Sequence, residues 1–335
     1  MSKTIIGWDI GGAHLKAVLL EGGKAHAMQT PCELWRGLDR LEAALNKALG
    51  AFNVKDAQHA VTMTGELADL FANRREGVLA IANTVSKLLG KNVQFYASQA
   101  GFVRLESVAA HATAIASANW HASASLLTKH AQNALFVDIG STTTDIISIA
   151  DGKVAINAYS DAQRMQNDTL VYTGVVRTPV MALAQKLRFE GVETNIMAEY
   201  FATMADVYRL IGDLQPEYDL AETADGKGKT ALESARRLAR MVGHDVDDKP
   251  LKTWETLALT CKNAQMTQIK QAILKHLKPG AAMIGGGAGA FLVEQIAREL
   301  KHEHRTISQA LSTELDENLA VCFPAYAAAR LLEKC

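Results

Sequence analysis

The stretch Phe136–Ile149, FVDIGSTTTDIISI, decides the fold. The apolar residues 134–139 predict a buried strand, and residues 143–149 predict a second strand after a turn of small residues. The turn, Gly140-Ser141-Thr142, offers several backbone N–H groups and hydroxyls in one place, and glycine allows a ligand to approach the backbone closely. Such a turn suits phosphate oxygens, and the alternative is an ordinary hairpin with a polar tip.

The same arrangement occurs near the N-terminus, in TIIGWDIGGAHLKAVLLEGG from Thr4 to Gly23. Asp9-Ile10-Gly11-Gly12 corresponds to Asp138-Ile139-Gly140-Ser141, an offset of 129 residues (138 − 9). Each copy continues through a second strand to a hairpin turn, Gly-Gly in the first and Asp-Gly in the second, and then to a third strand. A repeated supersecondary unit predicts two similar halves, with the turns facing each other across a cleft.

A third glycine-rich segment, AAMIGGGAGAFL, spans residues 281–292. It combines a short apolar strand, the glycines Gly285, Gly286 and Gly287, and the start of an alanine-rich helix. Bare backbone at a helix N-terminus favours anions, so the segment predicts a third part of a phosphate or nucleotide site.

In this order, DIGG, DIGSTTTD and GGGAG resemble the phosphate-1, phosphate-2 and adenosine motifs of the actin, sugar-kinase and Hsp70 superfamily. More narrowly, several segments are similar to the archaeal methanofuran-biosynthesis coupling enzyme and to relatives labelled as tetrahydromethanopterin-linked one-carbon transfer proteins: DIGGAHLKA, TMTGELAD, DIGSTTTDI, YTGVVRTPV and FATMADVYRLIGDL. The resemblance covers most of the chain. It departs at Ala13-His14, where many kinases of the superfamily carry Thr or Ser.

The resemblance implies an α/β protein with the actin-like ATPase (ribonuclease H-like) duplicated two-domain fold and a central cleft. The expected first domain, residues 1–130, carries the phosphate-1 loop. The expected second domain, residues 131–335, carries the phosphate-2 loop, a helical insertion at about 178–278 and the glycine-rich adenosine-type motif 285–289.

For function, the resemblance implies a transferase that joins an aminomethylfuran-methyl diphosphate to the phenol of a γ-glutamyl-tyramine or tyrosine-type acceptor and releases diphosphate. Two alternatives stay open: an ATP-dependent small-molecule kinase or ATPase, and a nucleotide-switched binding module. No appended binding domain is evident in the sequence, which favours an enzyme. Mg²⁺ is the expected cofactor. ATP or ADP stays open as a further ligand, although the transferase interpretation does not require either.

Strand-end acids are the predicted metal ligands. Asp9 and Asp138 each precede a small-residue turn, and hard cations such as Mg²⁺ prefer oxygen ligands. An aspartate that only caps the turn is the alternative. The residues predicted to bind phosphate are Gly11, Gly12, His14, Lys16, Gly140, Ser141, Thr142, Thr143, Gly285, Gly286 and Gly287.

Glu66 is the first candidate for the general base. It follows a predicted strand, 60–63, and ligands of open α/β sheets bind beyond the carboxyl ends of strands. A carboxylate that merely favours a helix N-terminus is the alternative. Asp145 is the second candidate base. Arg177 is predicted to clamp an anionic substrate, with a surface arginine as the alternative.

Composition limits the function classes. The chain of 335 residues has room for two domains, and its net charge of −1 argues against nucleic-acid binding. The apolar stretch 108–127 is interrupted by polar residues and predicts a buried helix instead of a membrane span. The expected partners are small-molecule substrates, and the oligomeric state stays open, with a homodimer as one alternative. Widely spaced cysteines predict reduced thiols in a cytoplasmic protein: Cys32, Cys261, Cys322 and Cys335.

Strands alternating with helices predict a mixed α/β sheet. Helical spacing and turn signals predict helices over 34–52, 67–71, 77–89, 108–129 with a break near Asn119, 178–187, 196–211, 230–242, 251–277, 288–300 and 318–334. The segment GKGKT at 226–230 resembles the end of a P-loop. We reject that interpretation because Thr223 stands where the first glycine belongs and no strand precedes it.

Overall fold

A computed structural model describes residues 3–54 and 56–335 of the chain. The chain forms two compact units. Unit 1 comprises the chain up to Phe136 together with Ile147–Asn167 and Arg305–Cys335, and unit 2 comprises Val137–Ile146 and Asp168–His304. The C-terminal segment therefore belongs to the unit that begins the chain. The sequence predicted two domains divided at residue 130. The two compact units group the residues differently, and the domain division stays a prediction.

The first sheet contains six strands: β1 (Ile5–Ile10), β2 (His14–Glu21), β3 (Lys24–Pro31), β4 (Gln58–Met63), β5 (Val93–Tyr96) and β6 (Phe102–Val103). Their order is β3-β2-β1-β4-β5-β6. Strand β1 pairs antiparallel with β2 and parallel with β4. Every residue of β1 is buried, as expected for an apolar central strand with both faces covered.

The second sheet repeats the opening of the first. The remaining strands are β7 (Ala134–Ile139), β8 (Thr144–Ala150), β9 (Lys153–Val154), β10 (Leu170–Val171), β11 (Lys186–Phe189), β12 (Val192–Asn195), β13 (Ala282–Gly286) and β14 (His304–Thr306). The sheet order is β10-β8-β7-β13-β14, with β9 beside β8, while β11 and β12 form a separate hairpin. The predicted repeat of three consecutive strands is therefore present, as β1–β3 and β7–β9.

Helices accompany both sheets, which confirms the α/β class. Unit 1 contains α1 (Leu38–Phe52), α2 (Arg74–Leu89), α3 (Leu105–Ile115), α4 (Asn119–Leu127) and α5 (Asp161–Gln166). Unit 2 contains α6 (Met204–Ile211), α7 (Ala231–Arg240), α8 (Leu251–His276) and α9 (Ala290–Leu300). Unit 1 then resumes with α10 (Ile307–Leu311), α11 (Glu317–Val321) and α12 (Phe323–Glu333).

Close packing of α12 on β1 explains the alanine-rich C-terminus. A Cβ atom at Gly7 would lie 1.9 Å from the carbonyl oxygen of Ala325 and 2.9 Å from Cβ of Ala329. Both alanines are fully buried. Small side chains on both elements therefore let helix and strand backbones approach closely, and the contact attaches the C-terminus to unit 1.

The prediction of a helix over 67–71 is wrong. Residues 67–73 form turns and bends, and α2 begins only at Arg74. The N-cap of α2 is Asn73, whose side chain accepts a hydrogen bond from the backbone N–H of Glu76 (2.9 Å). An asparagine with a glutamate three residues later is a stronger helix start than the segment after Gly65.

A helix over 178–187 is also wrong. The Thr178 hydroxyl accepts a hydrogen bond from the Gly174 N–H (2.8 Å), and only a short 3₁₀ turn, Val180–Ala182, follows. The hairpin of β11 and β12 then turns at Glu190-Gly191, both with positive φ. Leu187 and Phe189 are buried between exposed neighbours, which is the alternation of a strand. The predicted helix over 196–211 is formed only in its last part, α6.

A buried ion network supports the helices of unit 2. Arg237 donates to Oδ1 of Asp206 (2.8 Å), Oδ1 of Asp225 (2.9 Å) and the carbonyl of Gly228 (3.0 Å). These bonds hold the GKGKT segment against α6 and α7. Its threonine, Thr230, is the N-cap of α7 and accepts from the N–H of Glu233. The segment therefore has a structural role, in agreement with the rejection of a P-loop.

Candidate active site

The two aspartate–glycine turns have the same backbone hydrogen bond. The Gly11 N–H donates to the His14 carbonyl (2.9 Å), and the Gly140 N–H donates to the Thr143 carbonyl (2.9 Å). A Cβ atom at Gly11 would lie 2.9 Å from that His14 oxygen, so the tight turn requires glycine. The duplication predicted from the sequence therefore extends to the geometry of the two turns.

In unit 1 the first turn lies between a buried acid and a partly buried lysine. Asp9 is buried on β1 and pairs in register with Lys16 on β2. The amine of Lys16 donates to the carbonyl of Val321, at the end of α11 (3.0 Å). His14 is buried. Apart from Gly12 and its chain neighbours, no atom of the described residues lies within 4 Å of the position that a Cβ on Gly12 would take, so the backbone there is open to close approach.

In unit 2 the second turn presents hydroxyl groups. Ser141 Oγ and Thr142 Oγ1 lie 3.3 Å apart, and both residues are partly exposed. The segment Gly174–Arg177 packs against the turn through two backbone hydrogen bonds. The Val175 N–H donates to the Gly140 carbonyl (3.0 Å), and the Arg177 N–H donates to the Ser141 carbonyl (2.8 Å). The structure therefore brings Arg177 to the phosphate-2 turn through its backbone.

A buried glutamine that the sequence did not single out fixes this supporting segment. Gln265 of α8 donates from Nε2 to the Gly174 carbonyl (2.9 Å) and to the Thr173 hydroxyl (2.8 Å). Its Oε1 accepts from the Tyr208 hydroxyl (2.5 Å), and burial raises the pKa of that phenol. Gln265 lies on a helix with no motif around it, and only its complete burial marks it as important.

The third motif lies against the aspartate of the second turn. Gly287 has a φ of +75°, and a Cβ there would lie 2.3 Å from Oδ1 of Asp138. The Gly289 N–H donates to the Ile139 carbonyl (2.8 Å). Gly285 instead packs near His304, whose Nε2 would be 3.0 Å from a Cβ. Unit 2 therefore brings together Asp138, the turn 140–143 and the glycine motif 285–289. Asp145 lies on β8, where it pairs with Leu170.

Glu66 lies beside the first turn. The N–H groups of Thr64 and Gly65 both donate to the Ile10 carbonyl (2.9 Å each). A Cβ on Gly65 would lie 3.2 Å from the backbone of Gly11. On the other side α2 packs on the Glu66 backbone at Gly77, where a Cβ would meet the Glu66 carbonyl at 2.3 Å. Strand β4 and helix α2 therefore position the backbone of Glu66 next to the first aspartate–glycine turn.

The Glu66 side chain is completely buried. Its Oε1 accepts a hydrogen bond from the Ser117 hydroxyl (2.8 Å). Its Oε2 has no hydrogen-bond partner among the residues that the structure describes. Burial raises the pKa of Glu66 to about 7, against the lowering effects of the Ser117 hydrogen bond and the charge of Arg74, while the Asp161 charge raises it. An acid with a pKa near neutrality is suited to proton transfer.

Three residues of the cluster around Glu66 were missed in the sequence: Arg74, Ser117 and Asp161. The Ser117 hydroxyl also lies 3.2 Å from Oδ2 of Asp161, and Arg74 forms an ion pair with the same oxygen (2.5 Å). Ser117 occupies the left-handed region (φ +50°) between α3 and α4. The break predicted near Asn119 was the one signal for this turn, and nothing in the sequence connected it with Glu66.

Among residues 3–54 and 56–335, no group of three or more His, Cys, Asp or Glu side chains is arranged to hold a metal ion. In the same residues no helix is both long and apolar enough to span a membrane. All four cysteines, which lie within the described residues, are free thiols.

Comparison with solved structures identifies the fold. A nucleotide-free structure of acetone carboxylase, from work on ATP-dependent acetone carboxylation, superposes with a TM-score of 0.59 over 98% of this chain and 70% of that chain, at 10% identity. The fold is the actin-like ATPase (ribonuclease H-like) fold that the motifs predicted. The likeness at this identity concerns the fold alone.

Two archaeal relatives carry the same name, (4-{4-[2-(gamma-L-glutamylamino)ethyl]phenoxymethyl}furan-2-yl)methanamine synthase. The protein from Methanocaldococcus jannaschii is 32% identical over 342 aligned residues, covering 100% of this chain and 99% of its own. The protein from Methanococcus vannielii is 40% identical over 117 residues, covering 35% of this chain and 52% of its own. The chain belongs to the hydantoinase/oxoprolinase family, whose sequence model matches residues 57–334, and to the family of this archaeal synthase.

Proposed function

We propose that the protein is a transferase that forms the aryl ether bond between an aminomethylfuran-methyl diphosphate and the phenol of a γ-glutamyl-tyramine-type acceptor, with release of diphosphate. The observation that carries the proposal is the full-length match to the M. jannaschii synthase, whose name describes a furan joined to a phenol through a phenoxymethyl ether. The matched aspartate–glycine turns supply a second, independent argument, because each has the backbone geometry that suits phosphate oxygens.

The turns are suited to hold diphosphate where a kinase holds the phosphates of ATP. In unit 2 the hydroxyls of Ser141 and Thr142 are partly exposed donors on a turn that Gly174–Arg177 supports. In unit 1 the open space at Gly12 permits a phosphate oxygen to approach the backbone. Neutral donors and backbone N–H groups that are already in place stabilise the charge that grows on a departing diphosphate.

Asp9 and Asp138 are the residues that we propose to bind Mg²⁺. Protein sites for Mg²⁺ commonly use one or two carboxylates and leave the remaining positions to water and substrate phosphates, and each aspartate–glycine turn follows one such carboxylate. The glycine motif lies so close to the Asp138 carboxylate that any side chain at Gly287 would collide with it. Bound Mg²⁺ would neutralise negative charge on the leaving diphosphate.

Attack by the acceptor requires removal of the phenol proton. A free phenol has a pKa of about 10, so at neutral pH a base accelerates the reaction. Glu66 is our first candidate because it is next to the phosphate-1 turn and its pKa is raised to about 7. Asp145 is the second candidate. The furan stabilises positive charge at its methylene carbon, so positioning of the two substrates contributes much of the remaining acceleration.

The test is a reconstitution without nucleotide. Purified protein with the furanylmethyl diphosphate, γ-glutamyl-tyramine and Mg²⁺ should release pyrophosphate and yield the ether by mass spectrometry. If ATP is required and a phosphorylated furan accumulates instead, the protein is a small-molecule kinase. Calorimetry with diphosphate, ADP and ATP, each with and without Mg²⁺, separates both enzymes from a nucleotide-switched binding module, which would bind ATP without either product.

We also propose that the protein works in the cytoplasm on small molecules. The free thiols of the described cysteines and a net charge of −1 support this assignment.

A further inference from the structure

The carboxylate proposed as the base has no exposed surface. The Glu66 side chain is 0% exposed, whereas the side chains of Asp161 and Arg74, in the same cluster, are 14% and 34% exposed. A phenol therefore cannot reach Glu66 directly in this structure. The cluster reaches the surface at Asp161, which is connected to Glu66 through the Ser117 hydroxyl.

The hydroxyl of Ser117 lies between the two acids. It is 2.8 Å from Oε1 of Glu66 and 3.2 Å from Oδ2 of Asp161. A serine hydroxyl carries one hydrogen, so it donates fully to only one of two ionised carboxylates. Both contacts become hydrogen bonds when either acid carries a proton. This arrangement is the geometry of a proton relay, in which a hydroxyl accepts one proton while it donates another.

Charge determines the direction of the relay. The Arg74 guanidinium is 2.5 Å from Asp161, 3.5 Å from the Ser117 oxygen and 4.0 Å from Glu66. Its positive charge therefore attracts the Asp161 carboxylate more strongly than that of Glu66. Arg74 and Asp161 are the charged groups that act on Glu66. The buried Oε2 of Glu66, without a partner among the described residues, adds a cost to its ionised form.

We propose that Asp161 and Ser117 conduct the acceptor's phenol proton to Glu66, an inference that rests on the proposed ether-forming reaction. The phenol O–H gives its proton to the Asp161 carboxylate, Asp161 passes a proton to Ser117 Oγ, and the Ser117 hydroxyl proton moves to Oε1 of Glu66. The phenolate then attacks the furanylmethyl carbon as the bond to diphosphate breaks. Asp161 and Ser117 end unchanged, and Glu66 ends neutral and returns its proton by the same path after product release.

Replacement of Ser117 by alanine tests the relay because it removes the hydroxyl alone. Ser98 offers a matched control: it has the same left-handed backbone (φ +50°), and its hydroxyl donates to the Ala114 carbonyl (2.9 Å). Both variants are compared with wild type for melting temperature and for the turnover number of ether formation. Ser98→Ala should retain the wild-type turnover number.

Two acceptors distinguish a relay from a structural role. One is γ-glutamyl-tyramine, and the other carries fluorine beside the phenol oxygen, which lowers the phenol pKa toward neutrality. Ser117→Ala should lose roughly 100-fold in turnover with the first acceptor, as expected for loss of a general base. The loss should fall below about 10-fold with the fluorinated acceptor, because its phenol gives up the proton more readily and depends less on a base. Equal losses with both acceptors, or no loss, would overturn the relay.

Asp161→Asn provides the second variant if Ser117→Ala is unstable. Asparagine retains an oxygen for Arg74 but cannot carry the proton, so the same dependence on the acceptor is expected. A wild-type enzyme that forms no ether with either acceptor contradicts the proposed function itself. If the wild-type enzyme forms the ether but the variants lose the same factor in turnover number with both acceptors, only the relay is contradicted.

Discussion

Replacing Glu66 by glutamine isolates the cost of burying its negative charge. Glutamine has nearly the same shape, and its amide oxygen can still accept the hydrogen bond from Ser117. The charge, however, is removed at every pH. Wild type and variant should therefore differ in the way that their stability depends on pH.

The magnitude follows from the shift in the Glu66 pKa, from 4.5 to about 7. Between these values the folded protein holds a proton on Glu66 that the unfolded chain has lost, so the free energy of unfolding falls as pH rises. Each unit of pKa shift corresponds to about 1.4 kcal/mol, which gives a loss on the order of 3 kcal/mol across this window. The contribution is fully present below pH 4.5 and lost above about pH 7.

Urea denaturation of wild type and Glu66→Gln at several pH values between 4 and 8 measures the free energy of unfolding of each protein, and a change of about 3 kcal/mol is within its reach. The stability of Glu66→Gln relative to wild type should rise by that amount across the window. Asp69→Asn is the control, because Asp69 is an exposed acid on the same loop, and its difference from wild type should stay constant. If the stability difference between Glu66→Gln and wild type is also constant with pH, the argument that burial raises the pKa of Glu66 to about 7 is refuted.

Three further predictions test other parts of the molecule. Asp138→Asn should keep the circular dichroism spectrum and strongly reduce turnover at saturating Mg²⁺, and full turnover would make Asp138 structural. Lys16→Ala should weaken diphosphate binding by roughly 1.5–3 kcal/mol in calorimetry, and an unchanged affinity would leave the amine only its bond at the end of α11. Gly7→Ala should destabilise the protein by about 1–3 kcal/mol or more, because the added methyl would meet the Ala325 carbonyl. Gly50→Ala is the control: its methyl would meet no described atom within 4 Å outside its own helix backbone and chain neighbours, so the melting temperature should not fall.

The two aspartate–glycine turns were predictable because their interactions are local. The bond from the Gly11 N–H to the His14 carbonyl closes within four residues, and the same bond recurs between Gly140 and Thr143. Short apolar strands flank each turn, so the pattern of apolar and small residues already contains the geometry. The duplication made the pattern recognisable.

The local sequence pattern gave a wrong helix where contacts with distant residues decide the backbone conformation. Thr178 followed by proline is a common helix start, and the sequence predicted one there. In the folded chain the Thr178 hydroxyl instead accepts from the Gly174 N–H, in the segment that Gln265 holds under the phosphate-2 turn. The hydroxyl thus serves a contact that depends on a residue of α8, which no local pattern indicates.

By itself, the sequence determined the α/β class, the repeated aspartate–glycine turns, the glycine motif and Glu66 as a candidate base. Only the tertiary structure decided that Glu66 is completely buried, that it contacts Ser117 and Arg74, and that these two residues link it to Asp161. The reason is physical: strands and turns depend on near neighbours in the chain, whereas burial and charge pairing depend on which distant segments pack together. The pKa that makes Glu66 a plausible base arises from that packing.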